Sequence, residues 1–257
     1  MLQFLAELPR EELNNLALQA LLLFPVGAVE QHGPHLPVGT DTLIVEQIAY
    51  AAAMLAASAI PIVLAPVMPF GSSQHHLPFG GTMSLSTESY YRVLYELGES
   101  LIISGFRRIF ILNSHGGNNE LIQLVVRDLA LRYPICAAAA SYWVTAWDAL
   151  ISLEAHLHGR LPGHAGAFET SLIAALHPEL VRPPMPHRDT FERSPSRSFY
   201  GSFRREVHGI WQAIDGYSDS PDRASAEHGQ HYMSAINQAV ASSLVEFYQF
   251  TLEVPQA

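Results

Sequence analysis

Four short apolar runs punctuate the first 143 residues, at positions 21–29, 62–67, 108–113 and 135–143, and the segments between them are helix-length with apolar side chains at helical spacing. In 41–58 these are Leu43, Ile44, Ile48, Ala52 and Leu55, and in 87–104 they are Tyr91, Val93, Leu94, Leu97, Leu101 and Ile102. Residues 119–133 follow the third run as another helix. Runs of this kind alternating with helices of ten or more residues are the pattern of βαβ units. Strands joined in this way lie parallel and are covered by helices, so the predicted class is α/β with a mainly parallel sheet. Such sheets bind ligands beyond the carboxyl ends of their strands.

The flanking elements fit the same plan. A first helix begins near Pro9, where proline and the acids Glu11 and Glu12 suit a first turn. Thr40 or Asp41 is suited to cap the 41–58 helix. Residues 169–176 and 224–250 read as further helices, and 181–205, rich in Pro, Arg and Ser, as an irregular excursion. Residues 49–71 are uncharged and long enough to span a bilayer, but Pro61, Pro66 and Pro69 interrupt them, so a helix end followed by a buried strand fits better. With 49% of 257 residues apolar and no low-complexity linker, the expectation is one domain over 1–257.

Charge narrows the partners. The net charge is −10, with no run of Lys or Arg, which argues against nucleic acid or an anionic membrane and leaves a small molecule or peptide. The lone cysteine, Cys136, has no internal disulfide partner and reads as a residue of a buried strand. The first residues lack the basic start and long apolar core of a signal peptide, so the expected location is the cytoplasm.

Three motifs carry chemistry. Glu30, His32 and Asp41 put two carboxylates and an imidazole where the first apolar run gives way to a Gly/Pro-rich turn, a composition suited to a transition metal. In an extended segment Glu30 and His32 point to one side and Gln31 points away. Asn113-Ser-His115-Gly-Gly-Asn-Asn119 follows the third run, where His115 would project from a strand end and Gly116 and Gly117 would let the backbone turn closely around a ligand. Gly163-His164-Ala-Gly166-Ala-Phe-Glu169-Thr-Ser171 opens a helix, and its His164 and Glu169 are candidates for a proton shuttle and a further metal carboxylate. Each has a plainer reading as loop histidine or helix-start acid, and it is their combination that favours a site.

These three motifs resemble those of the creatininase family of creatinine amidohydrolases, over about 25–227. Weaker supports are Phe70-Gly-Ser-Ser-Gln-His-His76 with Gly81-Thr82 and Ser84-Leu85-Ser86, and residues 216–227. The resemblance implies a three-layer α/β/α fold, homo-oligomers that are usually hexamers, a small-molecule amide substrate, and two divalent ions hydrolysing an amide C–N bond. By position, Glu30, Asp41 and His115 would hold one ion, His32 and Asp41 the other with Asp41 bridging, and His164 would transfer the proton. Zinc, manganese and iron all suit such mixed N/O ligands. Two cations about 3.5 Å apart would yield hydroxide at neutral pH to attack an amide or formamide carbonyl.

One departure bears on the substrate. Creatininase proper has a metal-binding Glu where this chain has Gly117, and the Gly-Gly-Asn version resembles other branches, which include formamide deformylases and a peptide-cleaving maturase. Glu169 or water would then complete the second ion's ligands. The expected activity is therefore hydrolysis of a cyclic amide, another non-peptide amide or a formamide, with creatinine itself, a short peptide or a non-catalytic metal-binding oligomer as alternatives. A nucleotide or phosphate binder using the Gly-Gly loop is a further rival, although the loop matches no phosphate-binding fingerprint. His75 and His76 are candidate pocket residues, Trp143 and Trp147 candidate stacking or packing residues, and His156 and His158 read as part of a solvated turn.

Overall fold

The computed structural model describes residues 1–188 and 207–254. Among them, five strands form one parallel sheet: β1 (Leu2–Phe4), β2 (Leu21–Val26), β3 (Ile62–Leu64), β4 (Arg108–Asn113) and β5 (Cys136–Ser141), in the spatial order β1-β3-β2-β4-β5. Helices α1 (Arg10–Ala17), α2 (Thr40–Ala56), α3 (Thr87–Ile103) and α4 (Asn119–Arg132) connect successive strands. After β5 come α5 (Tyr142–Thr145), α6 (Trp147–Ser152), α7 (Ala155–His158), α8 (Ala167–Leu176), α9 (Ile210–Ala213) and the long α10 (Ala226–Glu253). The α/β class and the four sequence-predicted strands are borne out.

Side-chain alternation along the strands separates two cores, as the two-residue period of a strand requires. Leu21, Leu23, Ile62, Leu64, Phe110 and Leu112 face α2, α8 and α10, packing with Ile44, Ile48, Leu172, Ile236, Val240 and Leu244. Leu22, Phe24, Val63, Ile109 and Ile111 face the other way, against Leu94 and Ile102 of α3 and Ile122, Val125 and Leu129 of α4. The sheet is covered on both sides, which is why its central strands read as continuous apolar runs.

Several expectations are corrected. β1 pairs with β3 from Leu2↔Ile62 to Phe4↔Leu64 but is too short to stand out as an apolar run. β3 ends at Leu64 rather than at residue 67, because the chain leaves the ladder at Pro66. The fourth predicted strand ends at Ser141, where Tyr142 and Trp143 turn into α5. Cys136 is half-buried, since β5 is an edge strand paired only with β4. The cap of α2 is Gly39, not Thr40 or Asp41: Thr40 Oγ1 donates to Pro37 O at 2.7 Å, and Asp41 is turned into the protein. His156 and His158 lie in α7 rather than an open turn, and the His158 ring is 4.2 Å from that of His228. Of the predicted excursion at 181–205, residues 189–205 lie outside the described residues. The uncharged 49–71 segment does divide into a helix end and a strand, and no helix among the described residues is long and apolar enough to cross a membrane.

The connections from β2 and β4 depart to opposite sides: β2 leads through α2 to β3 on one flank, and β4 leads through α4 to β5 on the other. The crevice between the carboxyl ends of β2 and β4 is thus the topological switch point, where open α/β sheets hold their ligands.

α10 closes one layer by lying hard against α8. A Cβ on Gly229 would be 1.9 Å from Ser171 O, so only glycine permits this approach. Ser171 Oγ also accepts from Ser225 N at 3.1 Å, tying the start of α10 to α8. Gly229→Ala is expected to destabilise the fold by about 1–3 kcal/mol, as overpacking does. Thermal unfolding checks this, and an unchanged Tm would contradict the close approach.

Candidate functional site

The loops leaving β2 and β4 carry Glu30, His32 and His115, Asp41 sits in the first turn of α2, His164 lies in the loop just ahead of α8, and Glu169 in the first turn of α8. All six side chains are buried and brought together at the switch point. His115 Nδ1 lies 3.2 Å from both Glu30 Oε1 and Asp41 Oδ2. His32 Nε2 lies 3.4 Å from Asp41 Oδ1 and 3.7 Å from Glu169 Oε2. His164 Nδ1 lies 3.5 Å from Glu30 Oε1. The two oxygens of Asp41 therefore face two different imidazoles.

Neighbouring backbone fixes which ring nitrogen faces inward. His32 Nδ1 is 3.1 Å from Glu30 O, and a carbonyl can only accept, so Nδ1 carries the hydrogen and Nε2 faces Asp41 and Glu169. His115 Nε2 likewise donates to Ser72 O at 3.1 Å, leaving Nδ1 toward Glu30 and Asp41. With neutral rings, lone pairs would face carboxylate oxygens, an arrangement that needs a positive charge between them. Glu30 Oε2, His32 Nε2 and Asp41 Oδ2 are buried and make no hydrogen bond among the described residues. Donors 3.2–3.4 Å apart also match two ligands sharing an ion at about 2.1 Å. The residues fit divalent metal, and two of the three-donor groups are His32–Asp41–Glu169 and Glu30–His75–His115.

The scaffold around these donors is set by the motifs themselves. Asn113 Oδ1 accepts from His115 N at 3.0 Å and its Nδ2 donates to His115 O at 2.7 Å. Asn118 accepts from Ser72 N and donates to Gly27 O, both at 3.0 Å, so it staples the loops after β2, β3 and β4. Ser114 Oγ donates to Asp41 O at 2.8 Å. Ala165, at φ 47°, occupies the left-handed region at a cost of about 1 kcal/mol, and this aims its N–H at Glu169 Oε2, 2.6 Å away.

Burial dominates the electrostatics, and the charges then decide each direction. Burial would lower His32, yet Asp41, Glu169 and Glu30 hold it up at about 10. His115 is raised well above its ordinary value against the same penalty, by Glu30 and Asp41. Burial would raise Glu30, but His115 and His76 bring it well below the carboxylate range. Burial lifts Glu169 to about 8, with Asp41 adding to the rise and His32 opposing it. Burial, His32 and His76 push His164 well below its ordinary value, keeping its ring neutral at neutral pH.

Gln31 was expected to point away, and it does not. Its Oε1 accepts from Gly33 N at 2.9 Å, which turns the amide NH2 toward His76 Nδ1 at 2.9 Å, His164 Nε2 at 3.0 Å and Gly216 O at 2.9 Å. The period-two rule fails because residues 30–33 form an irregular loop rather than a strand. His76 is buried, with Nε2 3.6 Å from Glu30 Oε1. His35, also missed, is buried with Nε2 2.9 Å from Thr170 Oγ1, beside Glu169. Trp211 was not singled out either; its ring lies 4.8 Å from His76 and 5.1 Å from His164. Nothing in its local sequence pattern flags it. At Gly117 a Cβ would be 2.3 Å from Ser72 O and 2.5 Å from His115 Nε2, so no carboxylate fits there on this backbone.

A cavity of about 690 Å³ opens over the cluster, with Glu30, Asp41, His115, His164 and Glu169 in its wall, together with His75, His76, Trp143 and Trp211. Trp147 is buried and packs instead.

The creatininase family model, described as creatinine amidohydrolase, matches residues 6–246. A mycofactocin precursor peptide peptidase of Mycobacterium ulcerans (strain Agy99) is 34% identical over 165 residues, which cover 62% of this chain and 60% of the peptidase. This chain spans 60% or less of the length of the mycobacterial peptidases it matches. The creatinine amidohydrolase of Pseudomonas putida is 29% identical over 253 residues, which cover 88% of this chain and 89% of that protein. A solved structure described as creatininase with Mn has a TM-score of 0.72 at 25% identity, covering 95% of this chain and 97% of that one.

The raised imidazoles make a prediction for the metal-free chain. His32 titrates at about 10 in the fold against an ordinary 6.5, so its attraction to the carboxylates is complete below 6.5 and is lost as pH rises through 10. Glu169, raised from 4.5 to about 8, lowers stability progressively between those values and so adds to the fall in the lower part of that interval. Metal-free protein is expected to lose thermal stability as pH rises from 6.5 toward 10, and divalent metal to remove that loss. A Tm that stays flat or climbs over this interval without metal would contradict it.

Proposed function

The chain belongs to the creatininase family, and on that premise we propose that it is a metal-dependent amidohydrolase cleaving the C–N bond of a small amide. The observation that carries this reading is the position of Asp41, whose Oδ1 lies 3.4 Å from His32 Nε2 and whose Oδ2 lies 3.2 Å from His115 Nδ1. Glu30, Asp41 and His115 would hold one divalent ion, and His32, Asp41 and Glu169 a second. Glu169 takes the place of the carboxylate that Gly117 cannot supply. The mixed imidazole and carboxylate donors suit zinc, manganese or iron.

Bound there, such ions supply Lewis acidity, lowering the pKa of water and polarising an amide carbonyl. The chain's own part is positional and protonic. Glu30 O and Ser72 O set the tautomers of His32 and His115, and Asp41 holds both donor groups in one frame. His164, neutral through burial, takes the proton of the attacking water and delivers it to the departing nitrogen as the C–N bond breaks. Its Nε2 donates to the backbone carbonyl of Gln31 at 3.0 Å, which leaves Nδ1 facing Glu30 and the cavity as the basic nitrogen. No nucleophilic serine is required.

The substrate read first is a cyclic amide, another non-peptide amide or a formamide. A short peptide is the second reading, favoured by the peptidase relatives and by a cavity of about 690 Å³, roomier than one small ring needs. Creatinine itself is the least favoured, because of Gly117.

Asp41→Ala is expected to lose both ions and all measurable turnover, and Glu169→Gln to lose one ion per chain. His164→Ala should keep both ions while kcat falls by roughly 10²–10⁴-fold. Elemental analysis of the purified variants, with hydrolysis of cyclic amides, formamides and short peptides, checks these outcomes. Full metal content and activity in Asp41→Ala would overturn the reading.

A further inference from the structure

The 3-10 turn Gln74–Phe79 sets two histidines side by side in different surroundings. His76 is buried and engaged on both nitrogens, by the Gln31 amide at 2.9 Å and Glu30 Oε1 at 3.6 Å. His75 is exposed to the cavity it lines. Its ring stacks on that of His115, with centroids 6.0 Å apart and planes within 6°. One ligand atom each from Glu30, His75 and His115 lies within 4.8 Å of the others.

Two local features bring His75 to this position. Ser72 and Ser73, just ahead of it, are tied to His115 Nε2, through Ser72 O at 3.1 Å and Ser73 Oγ at 3.2 Å. The tie depends on Gly117, where a Cβ would lie 2.3 Å from Ser72 O; any side chain there would push the turn, and His75 with it, away from the cluster. Glu30 Oε2 is buried without a hydrogen bond among the described residues.

We propose that His75 is a further ligand of the ion held by Glu30, Asp41 and His115, which rests on the two-ion reading above. Glu30, Asp41 and His115 are buried and fixed, and a side-chain rotation of the exposed His75 closes the donor set. That ion then has two imidazoles and two carboxylates, against one imidazole and two carboxylates for its neighbour, so the two sites differ in nitrogen content and in spectrum. The same glycine that removes a carboxylate from one ion thereby admits an imidazole to the other.

The test is a cobalt(II) chloride titration of the metal-free chain, followed by visible absorption, for the wild type and His75→Ala, with His32→Ala as the control for the neighbouring ion. The wild type should take two cobalt ions per chain. Loss of even an outer-sphere partner weakens a metal site by about 10–100-fold, so His75→Ala should weaken one ion at least that much. It should also change that ion's ligand-field bands, and His32→Ala should change the other set. His75 is exposed, and an unchanged metal-free circular dichroism spectrum confirms that the variant folds. Two ions with unaltered affinity and bands in His75→Ala would overturn the role of His75 alone. No cobalt on the wild type would overturn the two-ion reading, and this proposal with it.

Discussion

Everything in this molecule is arranged around one electrostatic demand: the buried carboxylates of Glu30, Asp41 and Glu169 face the inward nitrogens of His32 and His115, and positive charge has to lie between them. Without metal, protons meet the demand, which is why both imidazoles are raised despite burial that works against them. Metal would meet it with the rings neutral. Exchanging protons for ions is the general coupling of metal affinity to pH, and here it is built into the fold's own stability.

The rest of the fold supplies rigidity to that cluster. β2 and β4 lie side by side at the centre of the sheet, and the residues just beyond their carboxyl ends are held by backbone-directed bonds from Asn113, Ser114 and Asn118. The third contributor, the start of α8, is pressed in place by α10 across Gly229 and pays a local strain at Ala165 to orient Glu169. Buried side chains on such supports move little, and the one exposed histidine at the cluster, His75, is the part left to adjust. Behind them, Gln31 holds His76 through its side-chain amide and His164 through its backbone carbonyl, so the proposed proton-transfer residue is positioned by the same loop that brings Glu30 and His32.

Much of this was legible in the sequence because it depends on local pattern. The strand at Arg108–Asn113 emerged with its observed bounds, since a run of six apolar-rich residues between a glycine stop and a Gly-Gly turn has few alternatives. The six side chains that the fold brings together stood out because they are concentrated in three short motifs at strand and helix ends. What escaped depends on tertiary contact. β1 is three residues long and gains its identity only by pairing with β3. Gln31 was misjudged because strand alternation was extended into an irregular loop. Trp211 reaches the site from a segment without a pattern of its own, His35 sits in the turn between Glu30 and Asp41 and meets Thr170 only in the folded chain, and Asp41, a plausible helix cap by sequence, is drawn inward by the imidazoles on either side of it.

The central claim is that Asp41 is shared by two ions. Anomalous diffraction from crystals of the zinc- or manganese-loaded protein tests it most directly. The account predicts two peaks flanking the Asp41 carboxylate, one beside His32 and Glu169 and the other beside Glu30 and His115. A single peak, or ions bound away from Asp41, would contradict it.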